Sequence, residues 1–441
     1  MTREGTDIRS ALRDRLEGLA RIGLTSWLSV MLGNTLYVGL GAVASWIVAS
    51  ALSPGEFGLL ALAITLLALA QESCGSGIDL AMIRLAAPHT HTDPGRARAV
   101  FSSSLRLKLV LSLVAAAALW AFEDWVAREI FGSGERTDLL RWVSVGLVGS
   151  VLYGAVLARL QAEERFRLFA VLRAANGGLR VAALALLWHL GMLSLGWAIG
   201  VSMASFWITF GLGQLAFAGQ GSPADPPAAP GLWKDVIRFG RWVILSHMLF
   251  ALYSRVDILL LGYFRPKAEV GSYAVAWNVM FLMDLSTYSL ITSLLPRASR
   301  LHDAGQLGGQ IRDTLKLSGL IAAGLVPAYL LSGPALRLLF PQYRQAPDVF
   351  HVLFWGALVT LLVHPLYLIL YNRNKVASLV AVDCSLVLLA LGGGLLFIPS
   401  HGWKGAAWTT VAARAWSCVL ILLLVLREGR SAGPTRGPAA P

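Results

Sequence analysis

Seven basic residues (Arg106, Lys108, Arg141, Arg173, Arg180, Arg255 and Arg414) stand in or at the edges of long apolar stretches of this chain, as do several carboxylates, where a charge is costly unless it has work to do or a partner. Arg173, Asn176 and Arg180 fall at i, i+3 and i+7, the spacing of one helical face, with Gly177 and Gly178 removing bulk beside them. A guanidinium presents a planar fork of donors that grips an anionic oxygen pair in two bonds, so this face reads as a cationic cavity wall. The alternative is that Arg173 snorkels to the interface and Arg180 pairs with a buried carboxylate. Glu72, Ser76 and Asp79 make an acidic stripe at i, i+4 and i+7 beside Gly75 and Gly77. Carboxylates in such a place hold protons or Na⁺, or else pair with the arginines of neighbouring helices.

A third group is His247, Arg255 and Asp257. Arg255 and Asp257 are two apart and so point to different faces of a helix; Arg255 reads as a phosphate contact and Asp257 as a lock to a neighbour. Asp284 and Tyr288 lie at i, i+4 with Asn278 above them, an arrangement suited to hydroxyl-rich ligands, and Asn34 is of the same kind. Arg414 reads as a further cavity cation, or else as a structural pair with Asp383. The ion-coupling candidates are therefore Glu72, Asp79, Asp257 and Asp383. The binding candidates are Arg173, Asn176, Arg180, Arg255, Arg414, Asn34, Asn278 and Asp284.

The elements that must carry these residues follow from composition. The chain has 441 residues, 56% hydrophobic and 14% charged, where an ordinary soluble domain has about 25% charged. Disorder, a collagen and a disulfide scaffold are excluded, and a polytopic helical membrane protein remains. Cys74, Cys384 and Cys418 lie in apolar stretches without metal or redox spacing and read as small core residues. The first apolar stretch is long enough to stay as a span rather than be cleaved.

Apolar stretches predict about twelve helices, at 26–51, 57–83, 100–122, 140–161, 168–189, 193–216, 240–263, 271–296, 314–333, 350–371, 376–398 and 403–426. A segment of distinct composition, GQGSPADPPAAPG at 219–231, separates two sets of six. The organisation expected is an N-terminal segment 1–25, a six-helix bundle 26–218, a linker 219–239, a second bundle 240–426 and a tail 427–441. With the N-terminus inside, inner segments carry 23 Lys and Arg and outer ones 7, so both termini are expected to be cytoplasmic. Most of the +12 net charge is then topology, with no call for nucleic acid as a partner. Most of the 15 Trp read as interface anchors.

The two halves repeat. Glu56-Phe57-Gly58 stands 213 residues before Glu269-Val270-Gly271, and at the same offset Arg84 falls on Arg297 and His89 on His302. Leu152-Tyr153 before Arg159 matches Leu366-Tyr367 before Arg373. Six helices per half is an even number, so the halves enter the membrane in the same sense, a parallel repeat about an axis along the membrane normal.

The order of several motifs resembles a known family. Leu52-Ser53-Pro54-Gly55-Glu56-Phe57-Gly58 resembles the first-hairpin signature of polysaccharide-biosynthesis flippases of the Wzx type. Arg255-Val256-Asp257 through Gly262, leading to Val270-Gly271-Ser272-Tyr273-Ala274, resembles that family's signature across the seventh and eighth spans. Leu338-Leu339-Phe340-Pro341-Gln342-Tyr343 resembles its stretch after the ninth span, with Pro341 where Gly is usual; Pro399, Gly402, Gly405, Ala406 and Ala407 resemble the turn into the twelfth. The resemblance implies a two-lobed bundle of the superfamily that includes multidrug exporters of the toxic-compound extrusion type. It implies movement of undecaprenyl-diphosphate-linked oligosaccharide across the bacterial inner membrane for O-antigen, capsule or exopolysaccharide. It further implies no cofactor beyond an H⁺ or Na⁺ gradient, with polysaccharide polymerase and chain-length proteins as partners. The alternatives are a small-molecule exporter of the same fold, whose pocket for cationic drugs should be acidic, and a membrane glycan polymerase or ligase. The enzyme reading lacks a sizeable outer domain, and no G-x-x-x-x-G-K-[ST] loop is present.

Overall fold

The computed structural model describes residues 33–90, 92–132, 137–218, 233, 236, 245, 247–298, 307–372 and 376–431. The segment 1–25, nearly all of the linker 219–239 and the tail beyond residue 431 lie outside the described residues, as do His302, Arg373 and the side chains of Tyr288 and Arg297. Every regular element among the described residues is helical, as apolar spans require where no water can satisfy a free backbone group.

In chain order these are α1 (Gly33–Ala51), α2 (Pro54–Cys74), α3 (Ser76–Ala86), α4 (Pro94–Ala121), α5 (Glu123–Glu129), α6 (Thr137–Ala162), α7 (Phe166–His189) and α8 (Leu195–Ala218). They continue as α9 (His247–Tyr253), α10 (Val256–Phe264), α11 (Lys267–Ala298), α12 (Leu307–Leu339), α13 (Ala346–Val363), α14 (Tyr367–Asn372), α15 (Val376–His401) and α16 (Trp403–Ser431). Ten helical stretches among the described residues have the length and apolarity to cross a membrane, and α9 with α10 makes an eleventh, bent by 41°. α11 occupies the place of the expected eighth span, so described helices stand at all twelve expected positions.

Three expected spans are interrupted. Gly75 departs from helical geometry (φ −122°, ψ −69°) and separates α2 from α3. Arg255 (φ −135°, ψ −11°) separates α9 from α10, with Asp257 Oδ1 accepting the Ile258 N–H in the new first turn. Between α13 and α14 the helix tightens into a 3₁₀ turn at His364–Leu366, where Pro365 has no N–H to donate.

Hairpin chemistry explains the signature residues. Ser53 and Glu56 form a reciprocal capping box at the start of α2: Ser53 N–H donates to Glu56 Oε2 (3.0 Å) and Glu56 N–H to Ser53 Oγ (3.4 Å). Pro54 takes the first helical position, where a missing donor costs nothing. At the turn into α16, Gly402 has φ +57°, and a Cβ there would stand 2.9 Å from Arg265 Nε. Glu269 Oε1 accepts the Trp403 N–H while Oε2 takes Arg265 Nε at 3.0 Å.

The chain forms two compact units, one within 1–47, 73–120 and 142–244, the other within 48–72, 121–141 and 245–441. In the first, Met82, Ala86, Ala97, Val100, Phe101, Ala158 and Ala162 knit α3, α4 and α6. Val156, Leu160, Phe169, Leu172 and Phe217 knit α6, α7 and α8. In the second, Leu366, Ile369, Leu370, Leu379, Ile421 and Val425 join α14, α15 and α16.

The second unit also holds the first hairpin, and there repeat-related residues meet. A Cβ on Gly58 would overlap the carbonyl of Lys267 and stand 3.0 Å from the Gly271 nitrogen. A Cβ on Gly271 would overlap the carbonyl of Pro54 and stand 3.2 Å from the Gly58 nitrogen. Both pairs, Gly58 with Gly271 and Pro54 with Lys267, are 213 apart, so the contact is reciprocal in the manner of a two-fold interface. Around it, Tyr343 O–H donates to the Ala49 carbonyl (3.0 Å) and the Gln342 amide to the Leu52 carbonyl (3.0 Å). The carbonyl of Gly262, 213 residues on from Ala49, accepts from the Lys267 ammonium.

Candidate functional site

In the first unit, α1 and α7 face each other through matching stripes. Asn34, Tyr37 and Gly41 lie at i, i+3 and i+7 on α1; Arg173, Gly177 and Arg180 lie opposite on α7. Arg173 Nη1 donates to Asn34 Oδ1 at 2.7 Å, and its guanidinium sits 4.5 Å from the Tyr37 ring centroid and 5.7 Å from that of Phe169. The helices approach closely because Gly33 meets Ala170 and Gly177 meets Leu40. Arg180 reaches the space that Gly41 leaves open, with Nη2 3.4 Å from where a Cβ would stand. Its Nε is buried without a hydrogen-bond partner, and Arg180 makes no ion pair among the described residues. The carboxylate partner considered for Arg180 is thus not found there.

Asn176 does not share this face. It is fully buried and donates from Nδ2 to Ser205 Oγ (3.3 Å) and Thr209 Oγ1 (3.1 Å), clasping α8. Its offset of about 60° from Arg173 around the helix is enough to turn it from one neighbour to another.

The acidic stripe is divided by the break at Gly75, since i, i+7 spacing means one face only on an unbroken helix. Glu72 belongs to the second unit, where its Oε2 lies 3.6 Å from His247 Nδ1 of α9. Asp79 belongs to the first, where Oδ1 accepts from Lys108 Nζ of α4 at 2.5 Å. Lys108 is 0% exposed, the most deeply buried cation in the described chain, and the pair packs against Gly154 of α6. Sequence reasoning puts Lys108 only among the basic residues in or at the edges of spans and assigns it no role. A lysine amid apolar residues near mid-helix demands a carboxylate, which was the available signal.

The second unit carries two networks of paired buried charges and hydroxyls. Arg414 Nη1 and Nη2 donate to Asp284 Oδ1 and Oδ2 at 2.8 and 2.9 Å, a buried bidentate pair 130 residues apart in the chain. Arg414 therefore pairs with Asp284 of α11 rather than with Asp383, and Asp284 is committed to a guanidinium rather than open to sugar hydroxyls. Asp383 is half-buried on α15 and Asn278 is exposed on α11. Asp257 Oδ2 accepts from Tyr273 O–H (2.6 Å) and Thr410 O–H (3.2 Å), which ties α10 to α11 and α16.

Arg255 differs from these. It stands half-buried at the break between α9 and α10, with Glu72 and Asp257 as the nearby opposite charges. Its side chain makes no hydrogen bond or ion pair among the described residues. The first-turn N–H groups of α10 start beside it, so a guanidinium and a helix N-terminus share one place on a broken span. Outside the spans, Arg141 donates to both oxygens of Glu123 at 3.0 and 2.7 Å, and this bonding holds the Glu123 carboxyl below the usual carboxylate range.

This architecture has known counterparts. The polysaccharide biosynthesis protein family matches residues 47–341 of the chain. A curated relative, a probable flippase AglR of Haloferax volcanii, is 25% identical over 400 residues, 88% of this chain and 80% of its own length. Among solved structures, the inward-facing conformation of a multidrug resistance MATE family transporter of the MOP superfamily aligns with TM-score 0.74 and 14% identity over 92% of this chain and all of that one. The lipid II flippase MurJ in an inward closed conformation aligns with TM-score 0.72 and 13% identity over 94% of this chain and 90% of that one. Twelve helix positions, hairpin signatures at matching places and a family match over most of the length agree: the chain is a multi-pass membrane protein of MOP-superfamily fold and belongs to the polysaccharide biosynthesis protein family.

Proposed function

We propose that this protein is a flippase for undecaprenyl-diphosphate-linked oligosaccharide, working by alternating access between two six-helix halves in the bacterial inner membrane, with both termini cytoplasmic. The observation that carries the reading is a set of intramembrane arginines with guanidinium capacity left over. Arg180 and Arg255 make no hydrogen bond or ion pair among the described residues, and Arg173 donates to a neutral amide, Asn34 Oδ1. A guanidinium that makes no hydrogen bond or ion pair in an apolar bundle is expensive, and an anionic ligand offsets that cost. A diphosphate bridging a polyprenyl tail and a sugar head fits forks of this kind. The polar groups at Asn34 and Asn278 suit sugar hydroxyls. Glu72, Asp79, Asp257 and Asp383 are the candidates for coupling to H⁺ or Na⁺, of which Asp79 holds Lys108 and Asp257 holds Tyr273 and Thr410. The product would pass to a polymerase and chain-length proteins making O-antigen, capsule or exopolysaccharide.

Alanine at Arg173, Arg180 or Arg255 should stop surface polysaccharide while the protein stays in the membrane at its normal level, and lipid-linked oligosaccharide should accumulate on the inner leaflet. Normal glycan output from all three variants overturns the assignment. If Glu72 or Asp79 couples transport to protons, the Gln or Asn variant should flip substrate without response to ΔpH; an unchanged response removes that residue.

A further inference from the structure

We propose that the crossing of α2 and α11 at Gly58 and Gly271 is the seam on which the outer end of the protein closes, and that it parts when the substrate path opens outward. The proposal rests on the alternating-access reading and the orientation given above. Equivalent points of two repeats touch each other only where the axis relating them passes. Gly58 and Gly271 are equivalent by the 213-residue offset and are in backbone contact, each occupying the clearance that the other lacks. For a parallel repeat that axis runs along the membrane normal, so a rocking of the halves changes the separation at its two ends the most.

The contact is suited to being made and broken. At its centre it is backbone on backbone, flanked by Leu62 against Gly262 and the edge-on rings of Phe57 and Tyr343, and dispersion across such a surface is forfeited by a gap of less than an ångström. Closely packed contacts of this kind are bistable rather than elastic. The polar bonds around it are of a sort that water replaces readily at a membrane surface. Across the seam Tyr343 and Gln342 grip the carbonyls that end α1, whereas the grip of Lys267 on the Gly262 carbonyl stays within the second half. No bond within the capping box of Ser53 and Glu56 crosses the seam, so α2 keeps its own start when the seam parts.

The test uses the full chain in spheroplasts, with Cys74, Cys384 and Cys418 replaced by alanine and Ala63→Cys as reporter. Ala63 is 0% exposed and lies five residues further along α2 than Gly58. Labelling by a membrane-impermeant maleimide added outside is followed over time. Gly58→Ala and Gly271→Ala should each raise the labelling rate about tenfold. The double variant should label no faster than about either single one, because one misfit already opens a shared contact. Gly55→Ala, where nothing lies within 4 Å of the added methyl, should leave the rate unchanged. Unchanged labelling in both single variants, or rates that multiply in the double one, overturns the seam. If the glycine variants fail to reach the membrane, Tyr343→Phe carries the test: it removes one clasp without adding bulk and should raise the rate about threefold, and no increase overturns the proposal. Flipping of lipid-linked oligosaccharide by the unmodified chain is measured alongside. A chain that labels as expected but moves no oligosaccharide refutes the function and leaves the seam standing.

Discussion

Arg414 in the second compact unit and the two arginines of α7 in the first are treated in opposite ways, whereas Lys108 of the first unit is paired like Arg414. In the second, Arg414 spends both terminal nitrogens on Asp284, and Asp257 takes three donors, from the Ile258 backbone, Tyr273 and Thr410. In the first, Arg180 reaches toward α1 with no acceptor, and the hydrogen bond of Arg173 goes to a neutral oxygen. Charges held in an ion pair fix helices against one another; those without one hold binding capacity in reserve. Arg255 is the exception within the second unit, and it stands where the helix itself is broken. The comparison teaches that residue type and depth alone do not mark a binding cation. Arg414 and Arg180 look alike in sequence, and only their partners tell them apart.

The contrast is broken most directly at Arg414. Arg414→Ala strands a buried carboxylate and should cost about 3–5 kcal/mol, read as a large loss of thermal stability in detergent and of protein in the membrane. Arg414→Met combined with Asp284→Leu should recover most of that loss; failure to recover would mean the pair does more than neutralise itself. Next, Tyr273→Phe removes one donor from Asp257 and should cost about 1–2 kcal/mol in the same assay. Arg180→Ala should change stability by no more than about 0.5 kcal/mol while abolishing glycan export. If Arg180→Ala proves as destabilising as Arg414→Ala, the distinction between the two arginines collapses. The smallest effect is at the surface. The Glu123 carboxyl is lowered in the folded protein, so its contribution is present above the ordinary carboxylate range and lost as pH falls through the depressed value. Arg141→Ala should raise the Glu123 titration back toward the ordinary range, followed by NMR of a labelled side chain, with little change in stability because the pair is solvated.

Much of the fold was legible in the chain because its cause is local. Long apolar runs must become helices in lipid, and Ser53-Pro54-Gly55-Glu56 carries its own capping chemistry. The breaks were not legible in the same way. Gly75 and Arg255 interrupt helices without proline, and a lone Gly or a charged residue is compatible with an unbroken span. That hidden break at Gly75 is why Glu72 and Asp79, read as one stripe, turn to His247 and Lys108 instead. Partner choice was the least visible part. Arg414 could have met either Asp284 or Asp383, both a long way off in the chain, and only packing decides which. The stripe on α7 was visible from Arg173 and Arg180; its complement Asn34, Tyr37 and Gly41 was equally regular, but one helix does not say which other it faces.

The glycine crossing has a consequence in time. Gly58 leaves the ribosome 213 residues before Gly271, a wait of about 10–40 s at ordinary rates of synthesis. Throughout that interval the hairpin bearing Gly58 is in the membrane without the surface it fits. Insertion of the first helices must therefore be self-sufficient, and the crossing cannot form until α11 has been made. A defect there should spare biogenesis and reveal itself only in the finished molecule.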